Sequence, residues 1–322
     1  ERGLSALKRI KILCDSQGVE QILAYATSAI REAGNGGEFI QQMIDETGIK
    51  AHAISGSREA QLIGKAIKHA VTFGNETVLM VDIGGGSVEF IVAKRDEVFY
   101  SASKKIGVAR MTAEFVHHDP IAKSEVRTLR KHYNAELRDL FAVTERHGAA
   151  LLIGSSGTME NIAAMVANRQ SITASLTLNE LTFSANRNFI GMDRSERLNE
   201  KGLDEKRVDI IAPGLVLLEL LVKKTGIQKI KISESALREG MIIDYIEQAR
   251  DRLNLDLLAS IGKDPRRRSV FELLRKCDWH EKHSRHVTIM ALQLFDFLRK
   301  DLGLTDEDRE LLEFAGYMHD IG

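Results

Sequence analysis

The sequence predicts an α/β protein of more than one domain that is followed by a region of helices alone. The chain has 322 residues, and a single hydrophobic core stops growing at roughly 250–300 residues. Apolar runs typical of buried strands alternate with amphipathic helical patterns over most of the chain. From residue 251 onward the pattern is helical throughout, and Pro265 with Arg266–Arg268 marks a shift in composition.

The individual elements follow from hydrophobic periodicity and from breakers at their ends, such as Gly48 after a helix and Ser55 as an N-cap. In chain order we predict a helix over 1–12, a strand over 21–26, a helix with Phe39, Met43 and Ile44 on one face, a strand over 51–54, a helix over 57–71, strands over 78–83 and 88–93, helices within 107–147, a strand over 149–153, a helix over 159–167, a helix starting near Thr177, a helix over 209–225 interrupted at Pro213-Gly214, a strand over 227–232 and a helix to about Arg250.

The composition is that of an ordinary globular protein. It is 43% hydrophobic and 28% charged with 3 prolines, which excludes disordered, collagen-like and mucin-like classes. The 45 basic and 46 acidic residues argue against a mainly nucleic-acid-binding protein, although they leave room for a local basic groove. No apolar run approaches the ~18 residues of a membrane span. Cys14 and Cys277 cannot form a disulfide framework, so we expect a reducing, cytoplasmic compartment.

The strongest local signal is the turn Gly84-Gly85-Gly86-Ser87 between two apolar strands. This is a hairpin arrangement and differs from the strand-to-helix turn of a Rossmann unit. Consecutive glycines let backbone N–H groups approach a phosphate closely and allow positive φ. Asp82 and Glu89 flank the turn, and carboxylate oxygens are the ligands that Mg²⁺ prefers. Because a lone Asp in an apolar strand is costly without a partner, we favour a phosphate and metal site over a simple turn with a capping Asp.

A second glycine-containing segment, Gly154-Ser155-Ser156-Gly157-Thr158, follows a buried strand and opens a helix. Free N–H groups at a helix N-terminus attract anions. The segment is not a Walker A loop, because no Gly-Lys-Ser/Thr follows. By itself it resembles many strand–helix turns. Together with the first loop it predicts a second phosphate contact.

Glu59 and Arg31 are ambiguous from their spacing. Glu59 opens a helix, where a carboxylate can activate a water molecule or simply complement the helix dipole. Spacing alone favours the second interpretation. Arg31 can grip a phosphate or be an ordinary surface arginine.

Histidines cluster near the end of the chain. His280, His283 and His286 on one helix, followed by His319-Asp320, have the pattern of a divalent-metal HD site. We name His283, His319 and Asp320 as candidate ligands of a second metal. The alternative is a solvated, histidine-rich helix face, because a complete site needs a further Asp that this chain does not contain.

Taken together, the motifs resemble one known family. The resemblance rests on an ordered set over about residues 1–250: Thr27-Ser28-Ala29-Ile30-Arg31-Glu32-Ala33, Ser55-Gly56-x-x-Glu59-Ala60, Val81-Asp82-Ile83-Gly84-Gly85-Gly86-Ser87-Val88-Glu89, Gly154-Ser155-Ser156-Gly157-Thr158 and Ala236-Leu237-Arg238-Glu239-Gly240. This set resembles the exopolyphosphatase and guanosine pentaphosphate phosphatase family of the actin-like ATPase superfamily. The remaining residues resemble the start of the HD-type helical domain of longer members.

The resemblance implies two actin-like, ribonuclease H-like α/β domains with an interdomain cleft, followed by the start of an all-α HD-like domain. It places the C-terminal part of the first domain at 1–75, the second domain at 76–250 and a truncated helical domain at 251–322. In this family a strand and a first phosphate loop, with another metal-ligating Asp, precede these motifs. We therefore expect the chain to be the middle of a longer protein, without a complete active site of its own.

The resemblance also implies an activity, namely hydrolysis of the terminal phosphate of polyphosphate or pppGpp with Mg²⁺ or Mn²⁺. We expect polyphosphate or guanosine penta- or tetraphosphate as the partner, no nucleic acid, no membrane, and a homodimer. By motif position, the resemblance assigns water activation to Glu59, contact with the scissile phosphate to Arg31 and metal association to Asp82 and Glu89. It assigns phosphate binding to Gly84, Gly85, Gly86 and Ser87. The residues Gly154, Ser155, Ser156, Gly157 and Thr158 match the loop that corresponds to the nucleotide-contacting segment of the ATPases, and we expect them to bind phosphate.

Two positions depart from the family pattern and keep alternatives open. The family usually has Thr where this chain has Val88, and often an acidic residue where it has Arg58. These departures leave room for a regulator that binds an alarmone without turnover. A sugar or acetate kinase of the same superfamily is a further alternative, but the Ser-Gly-x-x-Glu-Ala motif argues for water as the acceptor.

Overall fold

The structure, a computed structural model, describes residues 1–71, 73–95, 97–167, 176–177, 189–261, 265–274, 276–277 and 279–321. The chain divides into two compact units, Glu1–Tyr245 and Ile246–Gly322. The first unit is α/β and the second is helical. Among the residues described, no helix is both long enough and apolar enough to cross a membrane.

The first unit contains two sheets. A parallel pair joins β1 to β2, and a larger sheet has the strand order β5-β4-β3-β6-β8-β7. In the larger sheet β3, β4 and β5 are antiparallel neighbours, while β6 and β8 are added in parallel on the other side of β3. This is the arrangement of a ribonuclease H-like sheet. The strands are β1 Ala24–Ala26, β2 Ala51–Ala53, β3 Thr77–Ile83, β4 Val88–Lys94, β5 Glu97–Lys104, β6 Ala149–Ser155, β7 Leu176–Thr177 and β8 Lys229–Ile232.

Helices cover both faces of the larger sheet. In chain order the helices are α1 Arg2–Ser16, α2 Ser28–Arg31, α3 Gly36–Thr47, α4 Gly56–Ala70, α5 Val108–Phe115, α6 Lys123–Glu136, α7 Arg138–His147, α8 Ser156–Ala167, α9 Arg194–Leu198, α10 Ile211–Thr225, α11 Leu237–Ile261, α12 Pro265–Leu274, α13 Glu281–Leu302 and α14 Asp306–Met318. Short 3₁₀ turns lie at Phe189–Gly191 and Glu205–Arg207.

Strand alternation decides which side chains meet which helices. Leu79, Val81 and Ile83 of β3 join the core formed with α5 to α8 and α10. Val78 and Met80 point to the opposite face and pack with Ile63 and Ile67 of α4. Because side chains on a strand alternate between faces, Asp82 lies on the α4 side of the sheet. Each fully buried Ile or Leu of α4 stabilises this packing by about 1.5–3 kcal/mol.

A domain boundary at residue 75 would assign helix α4 to the first domain. Its buried face instead packs on the larger sheet. Ser55 caps it, as predicted, by accepting a hydrogen bond from the Arg58 N–H at 3.1 Å. Gly48 ends α3 in the left-handed region with φ of 71°, also as predicted. The division at residue 75 stays a prediction.

Several element predictions were wrong in their bounds or type. Strand β5 was missed. Thr177 lies in strand β7, and residues 178–188, on which the helix predicted near Thr177 would fall, lie outside the described residues. Pro213 and Gly214 do not interrupt α10, because Pro213 lies in the first turn, where a helix has no intrahelical use for the N–H that proline lacks. Strand β6 runs on to Ser155, and α8 begins at Ser156 and not at Met159.

The second unit is built from the end of α11 and from α12 to α14. Its core contains Phe271, Leu274 and Tyr317, with Trp279 packed against them. The Arg267 guanidinium lies 2.6 Å from the buried carboxylate of Glu313. The helical character was predicted. Membership of the HD type stays a prediction.

Candidate active site

A row of four polar side chains crosses four neighbouring strands. Ser103 of β5 is paired in register with Glu89 of β4, Glu89 with Asp82 of β3, and Asp82 with Ser155 of β6. Residues in register point to the same face of a sheet. The Ser155 hydroxyl donates to Asp82 Oδ2 at 2.7 Å, and the Ser103 hydroxyl donates to Glu89 Oε1 at 2.6 Å. The two predicted acidic residues are therefore adjacent, buried and flanked by hydroxyl donors.

Burial and the charges of nearby carboxylates make these carboxyls hard to ionise. Burial is the main cause that raises the pKa of Asp82 to about 6, and the Ser155 hydrogen bond opposes it. Burial, followed by the charge of Glu59, raises the pKa of Glu89 to about 8. The Ser87 hydroxyl also donates to Glu89, at 2.8 Å. A positive charge placed between Asp82 and Glu89 would offset this cost.

The carbonyl groups of the turn Gly84–Ser87 accept hydrogen bonds from the N–H groups at the start of α5. The N–H groups of Val108 and Ala109, at the start of α5, donate to Gly84 O at 3.0 Å and Gly85 O at 2.9 Å. The Gly107 N–H donates to Gly86 O at 3.3 Å. Within the described ranges, the N–H groups of Gly85, Gly86 and Ser87 have no hydrogen-bond partner. They are available to an anion. Phosphate binding by this turn stays a prediction.

One of the two reasons that the sequence suggested for glycine in this turn is wrong. None of Gly84, Gly85 and Gly86 has positive φ. Close approach explains the glycines, here to neighbouring protein atoms. A Cβ on Gly86 would come within 2.5 Å of the Ser28 hydroxyl oxygen, and one on Gly84 within 2.9 Å of Ser87 O. At Gly85 a Cβ would make only an ordinary contact.

Glu59 and Arg31 form an ion pair beside this turn. Arg31 Nη1 donates to Glu59 Oε2 at 3.0 Å and to the carbonyl of Ile54 at 2.8 Å. Burial raises the pKa of Glu59, while the hydrogen bond and the charge of Arg31 lower it by less. The charge of Glu59 also raises the pKa of Asp82 and of Glu89, which places the three carboxyls in one electrostatic group.

Two glycines bring α4 close to this group. A Cβ on Gly56 would come within 2.4 Å of the Ser103 Cβ, so the start of α4 touches the residue that donates to Glu89. A Cβ on Gly240 in α11 would come within 2.1 Å of Leu62 O. The glycine of the Ala236–Gly240 motif therefore allows α11 to lie directly on the backbone of the helix that carries Glu59.

Arg58, the departure beside Glu59, is directed elsewhere. Its guanidinium is paired with the buried carboxylate of Asp244 in α11, which also binds Lys65 Nζ at 2.7 Å. The basic side chain thus joins α4 to α11. It has a structural partner of its own and does not bind Glu59.

The second glycine-containing segment lies next to Asp82 through Ser155. Ser156, with φ of 84°, donates its hydroxyl to Ile83 O at 2.9 Å. Arg207 lies against the first turn of α8, where its Nη1 donates to the Thr158 hydroxyl at 3.1 Å. A Cβ on Gly157 would come within 2.2 Å of Arg207 Nη2. A guanidinium at a helix N-terminus creates a position for an anion.

Sequence reasoning missed Ser103 and Arg207. Ser103 lies on β5, the strand that was not predicted, and only its register with Glu89 reveals it. Arg207 lies in a 3₁₀ turn far along the chain from Thr158. A short apolar pattern before Ser103 was the one available signal. For Arg207 no local pattern existed.

The residues present fit a hard divalent cation. Among the described residues, no group of three or more His, Cys, Asp or Glu side chains lies close enough to hold a metal by itself. Mg²⁺ does not need such a cage, because it keeps several waters and is commonly bound through one or two carboxylates together with substrate phosphates. Asp82 and Glu89 supply two adjacent carboxylates, and burial raises the pKa of both.

The candidate ligands of a second metal lie in the other unit. The Nε2 atoms of His283 and His319 are 3.4 Å apart, so two of the predicted ligands are brought together. The Nδ1 atom of His319 lies 2.7 Å from Gly316 O. Asp320 follows directly in the sequence. A metal bound by His283, His319 and Asp320 stays a prediction.

Fold and site define an α/β protein with two adjacent, buried acidic residues on the strands that flank a glycine-rich turn. The Ppx/GppA phosphatase family matches residues 1–249, and the chain belongs to this family. Exopolyphosphatase 1 of Mycobacterium leprae is 28% identical over 256 residues, which are 78% of this chain and 76% of the relative. Exopolyphosphatase 1 of Mycobacterium tuberculosis H37Rv is 27% identical over 256 residues, with 78% and 74% covered.

Solved structures give the same result. The crystal structure of an exopolyphosphatase from Cytophaga hutchinsonii matches with a TM-score of 0.72 and 29% identity. The match covers 77% of this chain and 81% of the Cytophaga chain. The Aquifex aeolicus PPX-GPPA enzyme has a TM-score of 0.64 and 24% identity, covering 76% and 81%. This likeness confirms the predicted two-domain α/β fold class.

Proposed function

We propose that the protein is a phosphoanhydride hydrolase that removes the terminal phosphate of inorganic polyphosphate by metal-assisted attack of water. One observation carries the proposal: Glu59, paired with Arg31, acts electrostatically on both Asp82 and Glu89, and the N–H groups of Gly85, Gly86 and Ser87, which have no partner among the described residues, lie between those two carboxyls in the chain. The relatives that are exopolyphosphatases support polyphosphate as the substrate class.

Phosphoryl transfer to water needs a positioned base and neutralisation of charge more than covalent chemistry. Glu59 accepts a proton from the attacking water, and its raised pKa makes it a better base than an exposed glutamate. The water oxygen bonds to the terminal phosphorus while the bridging P–O bond breaks. Orthophosphate and a chain shorter by one phosphate leave. Arg31 stabilises the charge on the transferring group, and the N–H groups of Gly85–Ser87 bind phosphate oxygens.

Asp82 and Glu89 would hold Mg²⁺ or Mn²⁺. Such an ion, when bound, supplies positive charge to the phosphate oxygens and favours the ionised form of both carboxyls. The hydroxyls of Ser155, Ser103 and Ser87 orient the two carboxyls for this role. The protein's own contribution is therefore a preoriented pair of oxygen donors beside the phosphate-binding turn.

We extend the proposal to pppGpp, because its terminal phosphate is joined by the same type of bond. Arg207 and the first turn of α8 supply a second anion-binding position beside the first. This position supports a substrate with more than one phosphate in contact with the protein. The cytoplasmic location and the homodimer stay predictions.

Substitution of the proposed base tests the function. In the full-length protein with Mg²⁺, we expect Glu59→Gln to lower kcat for phosphate release from polyphosphate by about 10²–10⁴-fold, the contribution typical of a general base. Glu38→Gln is the matched control, because Glu38 is also a first-turn glutamate but is exposed on α3. Its activity should equal that of the wild type.

The same assay on polyphosphate and on pppGpp separates the alternatives. Equal rates for wild type and Glu59→Gln would refute the assignment of the base. Tight binding of guanosine tetraphosphate by a wild type that releases no phosphate would favour a regulator. Formation of ADP with a sugar or carboxylate acceptor would favour a kinase.

A further inference from the structure

A carboxylate next to Arg31 has partners from three different segments. Glu32 follows the last residue of α2. Its Oε1 accepts the Ser28 hydroxyl at 2.9 Å, and its Oε2 accepts Arg110 Nη2 at 2.9 Å. Lys105 Nζ also lies 3.1 Å from Oε2. Burial raises the pKa of Glu32, but hydrogen bonds from Lys105 and Ser28 and the charge of Arg110 outweigh it, so the pKa lies below its usual value.

Arg110 connects this carboxylate to the phosphate-binding turn. Its Nη2 donates to Glu32, and its Nε donates to Gly86 O at 3.0 Å. Nε and Nη2 lie on one edge of the planar guanidinium, so a single rigid group holds both acceptors at a set separation. A lysine ammonium is a point donor on a flexible stem and does not reproduce this geometry.

A steric contact also joins α2 to the turn Gly84–Ser87. Ser28, at the start of α2, is buried, and a Cβ on Gly86 would come within 2.5 Å of its hydroxyl oxygen. Helix α2, which carries Arg31, therefore touches the turn directly. Glu32 and Arg110 hold that contact closed.

We propose that Glu32 and Arg110 are positioning residues that set the separation between Arg31 and the turn Gly84–Ser87. Arg31 acts on the transferring phosphate, and the turn binds the phosphate oxygens. A displacement of about 1 Å between such groups is enough to lower a rate by about 10²-fold. The inference rests on the proposed hydrolase function where it is tested by kinetics. Its structural test, the mobility of the turn, does not depend on that function.

A double-mutant cycle tests the proposal in the full-length protein with polyphosphate and Mg²⁺. We expect Arg110→Lys and Glu32→Gln each to lower kcat by about 10- to 100-fold with a change in KM of less than about threefold. The kcat of the double variant should be within about twofold of that of the less active single variant, because both substitutions break the same Glu32–Arg110 ion pair. Arg130→Lys, in an exposed ion pair with Glu219 between α6 and α10, is the control and should keep wild-type kinetics.

Hydrogen exchange gives a readout that does not depend on turnover. In Arg110→Lys, amides in peptides covering residues 84–89 and 105–111 should exchange about 10-fold faster than in the wild type, with the rest of the chain unchanged. Unchanged exchange there overturns the inference, whatever the activity. Independent effects that multiply in the double variant overturn it as well. A wild type without phosphate release would refute the hydrolase function, and the exchange result would still decide the positioning role.

Discussion

The two glycine-containing segments of the site, Gly84–Ser87 and Gly154–Thr158, are held in place by different parts of the polypeptide. Main-chain groups hold most of the first: its carbonyls accept N–H groups from the start of α5, and a Cβ on Gly107 would come within 2.5 Å of backbone atoms of Gly85 and Gly86. The side chains of Arg110 and Ser28 contact it at Gly86. Side chains surround the second: Met159 lies against Gly154, and Arg207 against Gly157.

The difference matters because backbone and side chains respond differently to crowding. A flexible side chain rotates away at modest cost, whereas a hydrogen-bonded backbone segment moves only by breaking its contacts. Glycine is therefore required at position 107, which packs tightly against the backbone of the first segment. Glycine in the second segment is required only as long as its neighbour stays in place.

The largest effect should come from crowding the backbone of the first segment. We expect Gly107→Ala to destabilise the protein by about 3 kcal/mol, because the new methyl group meets the backbone of the turn. Urea denaturation measures this. Gly37→Ala in α3 is the control, since its methyl group enters open space, and it should stabilise by up to about 1 kcal/mol. Similar free energies of unfolding for the two variants would remove the basis of the comparison.

The next effect should come from the side-chain support of Asp82. Ser155 is fully buried and donates to Asp82, so we expect Ser155→Ala to cost about 1–3 kcal/mol by leaving a buried carboxyl without its donor. Urea denaturation at pH 7 gives the value. Ser5→Ala on the exposed face of α1 should stay within about 0.5 kcal/mol of the wild type. A loss no larger than this control would contradict the buried hydrogen bond.

A smaller effect is expected at Gly157. The three atoms nearest to its methyl group would all belong to the guanidinium at the end of Arg207, so Gly157→Ala should cost less than about 1 kcal/mol. In an Arg207→Gln background the same substitution should be neutral or stabilising, since alanine is the better helix former. The four proteins are compared by urea denaturation. Additive free energies would show that Arg207 is not the obstacle.

A further effect, of similar size, concerns a side-chain network outside both segments. Glu125 accepts hydrogen bonds from the N–H groups of His117 and Ala122 and lies 2.8 Å from His118 Nδ1. Burial raises the pKa of Glu125, but these bonds outweigh it and lower it to about 2. A lowered pKa stabilises the fold above the ordinary value near 4.5. We expect Glu125→Gln to cost about 1 kcal/mol at pH 7.

That cost should disappear with acid. As pH falls from the ordinary value towards about 2, Glu125 becomes protonated in the folded protein as well, and its contribution is lost. Urea denaturation of wild type and Glu125→Gln from pH 7 to pH 2 follows the difference. A difference that stays constant over this range would contradict the charged network.

Local pattern was sufficient for a large part of the site. A four-residue turn between two apolar strands places Asp82 opposite Glu89, and the register confirms this pairing. The cap at Ser55 and the start of α4 follow from the same kind of reasoning, although spacing alone did not raise Glu59 above an ordinary first-turn glutamate. In each case the interacting residues lie within a few positions of one another, where backbone geometry alone decides their separation.

The sequence by itself determined the α/β class, the Gly-rich turn and the identity of the acidic residues, because these depend on periodicity and short-range turn chemistry. Tertiary structure alone decided that Ser103 supports Glu89, that Arg207 covers Gly157, and that Glu32 joins Arg110. These partners come from strands and helices distant in the chain. Their meeting depends on strand register and on close backbone approach, which no local pattern of residues encodes.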